Sequence, residues 1–62
     1  MKITLRAARV NAGLTLQQVH EVTGFARSTL TRWEKGIASP KFNALSVLCE
    51  LYGVAVDCIE CK

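Results

Sequence analysis

The sequence has no long apolar run and no secretion signal, and these two absences exclude several classes of protein. Its apolar stretches are only a few residues long, whereas a membrane-spanning helix needs about 20. The first residues, 1–4, do not lead into an apolar core with a cleavage site, as a signal peptide would. We therefore expect a cytoplasmic protein without a membrane partner.

Histidine is scarce, and the cysteines do not suit a disulfide framework. His20 is the single histidine, and no nucleophile stands at a recognisable spacing from it, so we expect no enzyme, cofactor or small-molecule ligand. Three cysteines, an odd number, without a secretion signal indicate reduced thiols. Cys58 and Cys61 form a lone C-x-x-C that, with Cys49 and His20, leaves a zinc or redox site as an alternative. In the other interpretation Cys49 is a small buried residue and the other two lie at a frayed end.

The length of the chain, 62 residues, limits the number of domains it can form. A domain of this size buries only about 60% of its unfolded surface, which leaves no room for a substrate cleft beside a separate sensor domain. Half of the residues are hydrophobic, enough for one packed core. We find no repeat or linker and no alternation typical of strands, and we predict a single all-α domain over residues 1–62.

The net charge of +3 is unevenly distributed along the chain. Residues 1–41 carry seven basic and two acidic side chains, whereas residues 42–62 carry one basic and three acidic side chains. A basic first part and an acidic last part indicate a polyanionic partner on one side of the molecule.

Four glycines divide the chain into a compact bundle of four to five short helices. Each glycine follows an apolar periodic stretch, where a helix ends in a left-handed residue. The first three helices are expected over residues 5–12, 16–23 and 27–35. The fourth has Pro40 in its first turn and ends before Gly53, and a last short helix covers residues 56–61.

The starts of the first two helices carry clear capping signals. Thr4 is placed to cap the first helix, and Thr15 with Gln18 forms a capping box for the second, with Leu14 and Val19 as its hydrophobic staple. Periodicity then predicts the inward-facing residues of these two helices and of the fourth. These are Leu5, Ala8 and Ala12, then Val19 and Val22, and then Phe42, Leu45, Leu48 and Tyr52.

The third helix has two distinct faces. At about 100° per residue, Ala26, Leu30 and Trp33 fall on one side. Together with Val19 and Phe25, this side is placed to lock the helix against its predecessor. The opposite side carries hydrogen-bonding and cationic side chains. They are Arg27, Ser28, Thr31, Arg32 and Lys35. Two helices braced in this way hold the second one out as a rod that the major groove of DNA admits.

The chain resembles the phage repressor and Cro-like helix-turn-helix family, also called the xenobiotic-response-element type. The matching segments are LRAARVNAGLT, STLTRWEKG, Pro40 and LCELYGVAVD, which occur in this order at the family's spacing and cover nearly the whole chain. The resemblance implies a lambda-repressor-like fold in a nucleoid-associated transcription regulator, most simply a repressor. It also implies a palindromic double-stranded operator and a homodimer, which forms in solution or only on DNA.

The resemblance also implies roles for individual residues. Arg9 and Glu34 would form a buried ion pair, and the last turn and tail, with Val54, Val56 and Ile59, would form the dimer surface. The remaining positions would contact DNA. Base contacts are implied for Arg27, Ser28, Thr31 and Arg32, and phosphate contacts for Gln17, Lys35 and Lys41.

Three positions depart from the family's pattern. His20 replaces a small residue beneath the turn, so either the helix crossing is slightly open or the imidazole points sideways. Ala26 stands where a Ser or Thr often caps the third helix, and Leu16 replaces a frequent glutamine whose phosphate contact Gln17 would take over. A protein-interaction module of the antitoxin or corepressor type stays open as an alternative function.

Overall fold

The protein is an all-helical bundle, as predicted. A computed structural model describes residues 2–60 and places in them four α-helices followed by one 3₁₀ turn. The helices are α1 (Leu5–Asn11), α2 (Leu16–Thr23), α3 (Arg27–Lys35) and α4 (Phe42–Tyr52), and the 3₁₀ turn covers Val56–Cys58. Within the described part, no helix is long and apolar enough to cross a bilayer.

The helix boundaries follow local chemistry. The Thr4 hydroxyl accepts from the Ala7 amide at 3.1 Å, and Thr15 and Gln18 form the predicted reciprocal capping box. Gly24 ends α2 with φ at +81°, a left-handed conformation that costs other residues energy because of their Cβ. The same local chemistry ends α3 and α4, each at a glycine in the left-handed region.

One hydrophobic core lies between the helices. α1 packs on α3 and α4, and α2 packs on α3. Val19, Leu30, Leu48 and Cys49 are the largest fully buried side chains. Cys49 therefore occupies a core position, as expected for a small buried residue.

The two ends of the described chain are joined by one isolated parallel β-bridge between Ile3 and Ile59. The Ile3 amide donates to the Cys58 carbonyl at 2.7 Å, and the Glu60 amide donates to the Ile3 carbonyl at 2.8 Å. Ile59 is 5% exposed. The segment after α4 is therefore part of the core and closes the bundle.

Three residues predicted to face inward are exposed. Val22 is 66% exposed because the inner face of α2 consists of its neighbours Leu16, Val19, His20 and Thr23, which are buried or half-buried. Phe42 is 70% exposed because it begins α4, one turn before Leu45, the first buried residue of that helix. Ala12 is also exposed. It is the last of the residues predicted to face inward on the first helix, but it forms the C-cap of α1.

The C-terminal segment also differs from the prediction. Ile59 cannot form a dimer surface because it is buried, and Val54 and Val56 pack against the core from partly exposed positions. The last helix is a single 3₁₀ turn, and Cys61 lies outside the described residues. Pro40 precedes α4 by two residues, with Lys41 as the N-cap, rather than standing in its first turn.

Candidate nucleic-acid interface

α2 and α3 are locked together by a small apolar brace around the turn between them. Val19 and Leu30 are almost fully buried. Phe25 in the turn meets Trp33 edge-to-face, with ring centroids 5.3 Å apart and planes at 75°. Aromatic pairs favour this arrangement, because the positive edge of one ring points at the negative face of the other. The brace contains the residues predicted for it and fixes the direction in which α3 projects.

Side chains of α2 bind the backbone of the turn. The Nδ1 atom of His20 lies 2.7 Å from the Phe25 carbonyl oxygen. The Thr23 hydroxyl donates to the Val19 carbonyl at 2.7 Å and accepts from the Phe25 amide at 3.3 Å. The imidazole thus reaches across to the backbone of the turn. The sequence signal for this role is its position on the inner face, one residue after Val19.

An ion pair ties the C-terminal half of α3 to α1. Arg9 Nε donates to Glu34 Oε2 at 2.8 Å and Arg9 Nη2 donates to Glu34 Oε1 at 3.2 Å, while Arg9 Nη1 donates to the Leu14 carbonyl at 2.9 Å. The two side chains are only 12% and 10% exposed. Hydrogen bonding to Glu34 raises the pKa of Arg9. The pair implied by the resemblance is present, and it also holds the segment before α2.

Tyr52 of α4 belongs to the same end of the bundle. Burial and the charge of Glu34 raise its pKa to about 12. Glu34 is therefore close enough to both Arg9 and Tyr52 to raise their pKa values.

The predicted DNA-contacting residues of α3 share one side of the helix, which we call the outer face. At about 100° per residue they lie within an arc of about 140°. Four are exposed and Thr31 is half-buried, at the edge toward α1. The outer face consists of Arg27, Ser28, Thr31, Arg32 and Lys35. It carries three cations and no carboxylate, because the only acid of α3, Glu34, is bound to Arg9.

The phosphate-contact residues implied outside α3 lie in two places. Lys41 is exposed at the N-cap of α4, where the positive end of the helix dipole disfavours a cation. Gln17 is exposed on α2 beside the outer face, and its Oε1 accepts a hydrogen bond from Arg27 Nη1 at 2.8 Å. The structure therefore connects Gln17 with Arg27, a contact that sequence reasoning missed because it joins residues on two different helices.

The described part of the chain contains no cluster of three or more histidine, cysteine or acidic side chains that could hold a metal ion. His20 binds the turn, Cys49 lies in the core and Cys58 is half-buried in the 3₁₀ turn. These three side chains do not come together. Cys61, the fourth residue of the zinc or redox site considered as an alternative, lies outside the described residues.

A family model described as a helix-turn-helix domain matches residues 3–59. The chain belongs to this helix-turn-helix family. Helix-turn-helix domains bind DNA, with the second helix of the motif in the major groove. In this helix-turn-helix domain, α2 and α3 are the two helices of the motif. Comparisons with curated proteins and with solved structures gave no match.

Proposed function

We propose that this helix-turn-helix domain binds a specific double-stranded DNA operator and represses transcription by blocking polymerase, as a regulator of the phage repressor and Cro-like type. The observation that carries this proposal is the outer face of α3, which is exposed, cationic and free of acid, on a helix braced from behind by Leu30 and Trp33. We place its action in the cytoplasm, at the nucleoid of a bacterial or phage-infected cell.

The outer face has the chemistry needed to read base edges. An α-helix with side chains is about 10–12 Å wide, which matches the width of the B-DNA major groove, about 12 Å. An arginine can grip guanine O6 and N7 with two hydrogen bonds, so we assign Arg27 and Arg32 to bases. Ser28 and Thr31 would contact bases between them, and Thr31 can also meet a thymine methyl group.

The flanking lysines would hold the DNA backbone. Lys35 ends α3 and Lys41 precedes α4, so they bracket the loop between the two helices, and both are exposed. Contacts to phosphates fix the register of the protein on the duplex and release counterions. This assignment predicts binding that weakens steeply as salt increases.

We further propose that two copies bind a palindrome. Half-sites one helical turn apart need recognition helices about 34 Å apart. The Cα trace of one copy measures 28 × 23 × 18 Å, so each copy is small enough for two to lie side by side at this separation. Because Ile59 is buried, it would take no part in the dimer contact, and Val54 and Val56 of the predicted tail are the partly exposed residues left for it.

Selection of bound sites from a random pool of double-stranded DNA tests recognition, symmetry and half-site spacing together. We expect enrichment of a palindromic site at low ionic strength and a steep loss of affinity with salt. An unenriched pool would contradict the proposal. A complex with a protein partner that forms without DNA and ignores salt would instead favour the interaction-module alternative.

A further inference from the structure

Three side chains form a chain of hydrogen bonds from α2 to the first residue of α3. Arg27 Nη1 donates to Gln17 Oε1 at 2.8 Å, and Gln17 Nε2 donates to Glu21 Oε2 at 3.2 Å. Glu21 lies one helical turn after Gln17 on the exposed side of α2. The guanidinium of Arg27 is therefore connected to a carboxylate through one amide group.

The chemistry of the two neighbours fixes the orientation of that amide. A carboxylate only accepts hydrogen bonds and a guanidinium only donates them. The amide of Gln17 must therefore point its nitrogen toward Glu21 and its oxygen toward Arg27. The flipped amide would place its oxygen against the Glu21 carboxylate, two acceptors, and its nitrogen against the Arg27 guanidinium, two donors. Glutamine has both a donor and an acceptor at its end, so it fits between these two groups.

This arrangement does not serve the stability of α3. Arg27 is the first residue of α3, where the positive end of the helix dipole disfavours a cation, and the helix has no capping side chain. The hydrogen bond to Gln17 instead limits the rotamers of a long side chain. An arginine held in one conformation loses less freedom when it binds, so it discriminates better between ligands.

We propose that Gln17 positions Arg27 to read a guanine, so that Gln17 sets base preference without touching a base. The inference rests on the proposed function and replaces the phosphate role implied for Gln17. The guanidinium has five N–H donors. One binds Gln17, and the others leave a pair for guanine O6 and N7.

The test measures the binding of three variants to two DNA sites. One is the selected operator, and the other is the same operator with the guanine that Arg27 would contact replaced by another base. The variants are Gln17→Ala, Arg27→Ala and the double variant. A complete bidentate contact is worth about 5- to 150-fold in base preference, from about 1–3 kcal/mol at 1.4 kcal/mol per tenfold. We expect Arg27→Ala to remove this preference, Gln17→Ala to reduce it several-fold, and the double variant to match Arg27→Ala.

Gln18→Ala is the matched control. It removes an exposed glutamine at the next position of the same helix, but one that belongs to the capping box. We expect it to lower the unfolding midpoint while the base preference of the bound fraction stays unchanged. Glu21→Gln should keep the preference, because its amide oxygen still accepts from Gln17.

The possible results separate this inference from the function on which it rests. If Gln17→Ala weakened binding equally on every sequence, Gln17 would be a phosphate contact and the inference would be wrong. Unchanged preference in Gln17→Ala, or additive losses in the double variant, would overturn it as well. If the wild-type protein bound no sequence preferentially, the proposed function itself would fail.

Discussion

The two helices of the motif begin in opposite ways. α2 begins with a capping box, in which the Thr15 hydroxyl accepts from the Gln18 amide and the Gln18 side chain accepts from the Thr15 amide. α3 begins at Ala26, whose side chain has no oxygen, and its first residue is the cation Arg27. Both N-cap residues have an extended backbone, so the main difference between the two starts lies in the side chains.

The contrast shows that the two helices of the motif are stabilised in different places. α2 is stabilised locally, at its own start. α3 is stabilised from a distance, by Leu30 and Trp33 in the middle and by the Arg9–Glu34 ion pair near its end. Its start can therefore carry side chains that a free helix would not favour.

Loss of the ion pair is expected to have the largest effect on stability. Glu34→Ala leaves the Arg9 guanidinium in a site that is almost buried, and breaking such a pair costs about 3 kcal/mol. Denaturant unfolding measures this loss. Glu50→Ala removes the same charge from an exposed position of α4 and should stay within about 0.5 kcal/mol of wild type. Equal stability of the two variants would show that α3 is not held by this pair.

Arg32 on the outer face should affect DNA binding and leave stability unchanged. We expect Arg32→Ala to lower operator affinity by about 5- to 150-fold and to relax the preference at one base pair, because one bidentate contact is lost. Binding isotherms on the operator and on single-base variants measure both effects. Lys2→Ala is the control, because it removes the same charge outside the motif. An equal loss on all sequences would make Arg32 a phosphate anchor instead of a base reader.

The sequence predicts the features of this fold that depend on neighbouring residues. The capping box, the end of α2 at Gly24 and the bounds of α3 depend on residues a few positions apart, and the structure has them as predicted. Three other features depend on residues that are distant in the sequence. Val22 and Phe42 are exposed because no other helix of the described chain covers them, and Ile59 is buried where its segment pairs with Ile3.

The same distinction applies to the candidate site. The outer face of α3 follows from helical periodicity, so its members could be predicted from one segment. The hydrogen bond between Gln17 and Arg27 joins two helices and depends on their crossing. The role of His20 in the turn likewise became visible only with the distance from its ring to the Phe25 carbonyl. Whether these residues touch DNA stays a prediction.

The capping box of α2 offers a smaller and local test. Thr15→Ala removes the hydroxyl that accepts from the Gln18 amide and should cost about 1 kcal/mol in free energy of unfolding. Thr15→Ser keeps the hydroxyl and should unfold close to wild type. Thermal or denaturant unfolding measures both variants. If the serine variant lost as much as the alanine variant, the methyl group of Thr15 and not its hydroxyl would be what matters.

The start of α3 provides the smallest expected change and the most direct test of the contrast. Ala26→Ser gives the helix a capping oxygen and should raise the free energy of unfolding by about 0.5–1 kcal/mol. Ala26→Asp should stabilise the fold at least as much, because its carboxylate also suits the helix dipole. On DNA the two should differ, since a carboxylate beside the outer face repels phosphates whereas a hydroxyl can donate to one. Serine should therefore leave affinity equal or higher, and aspartate should lower it, most strongly at low salt. If aspartate lowered both stability and affinity, the missing cap would reflect a steric limit at Ala26 and not a start left open for a ligand.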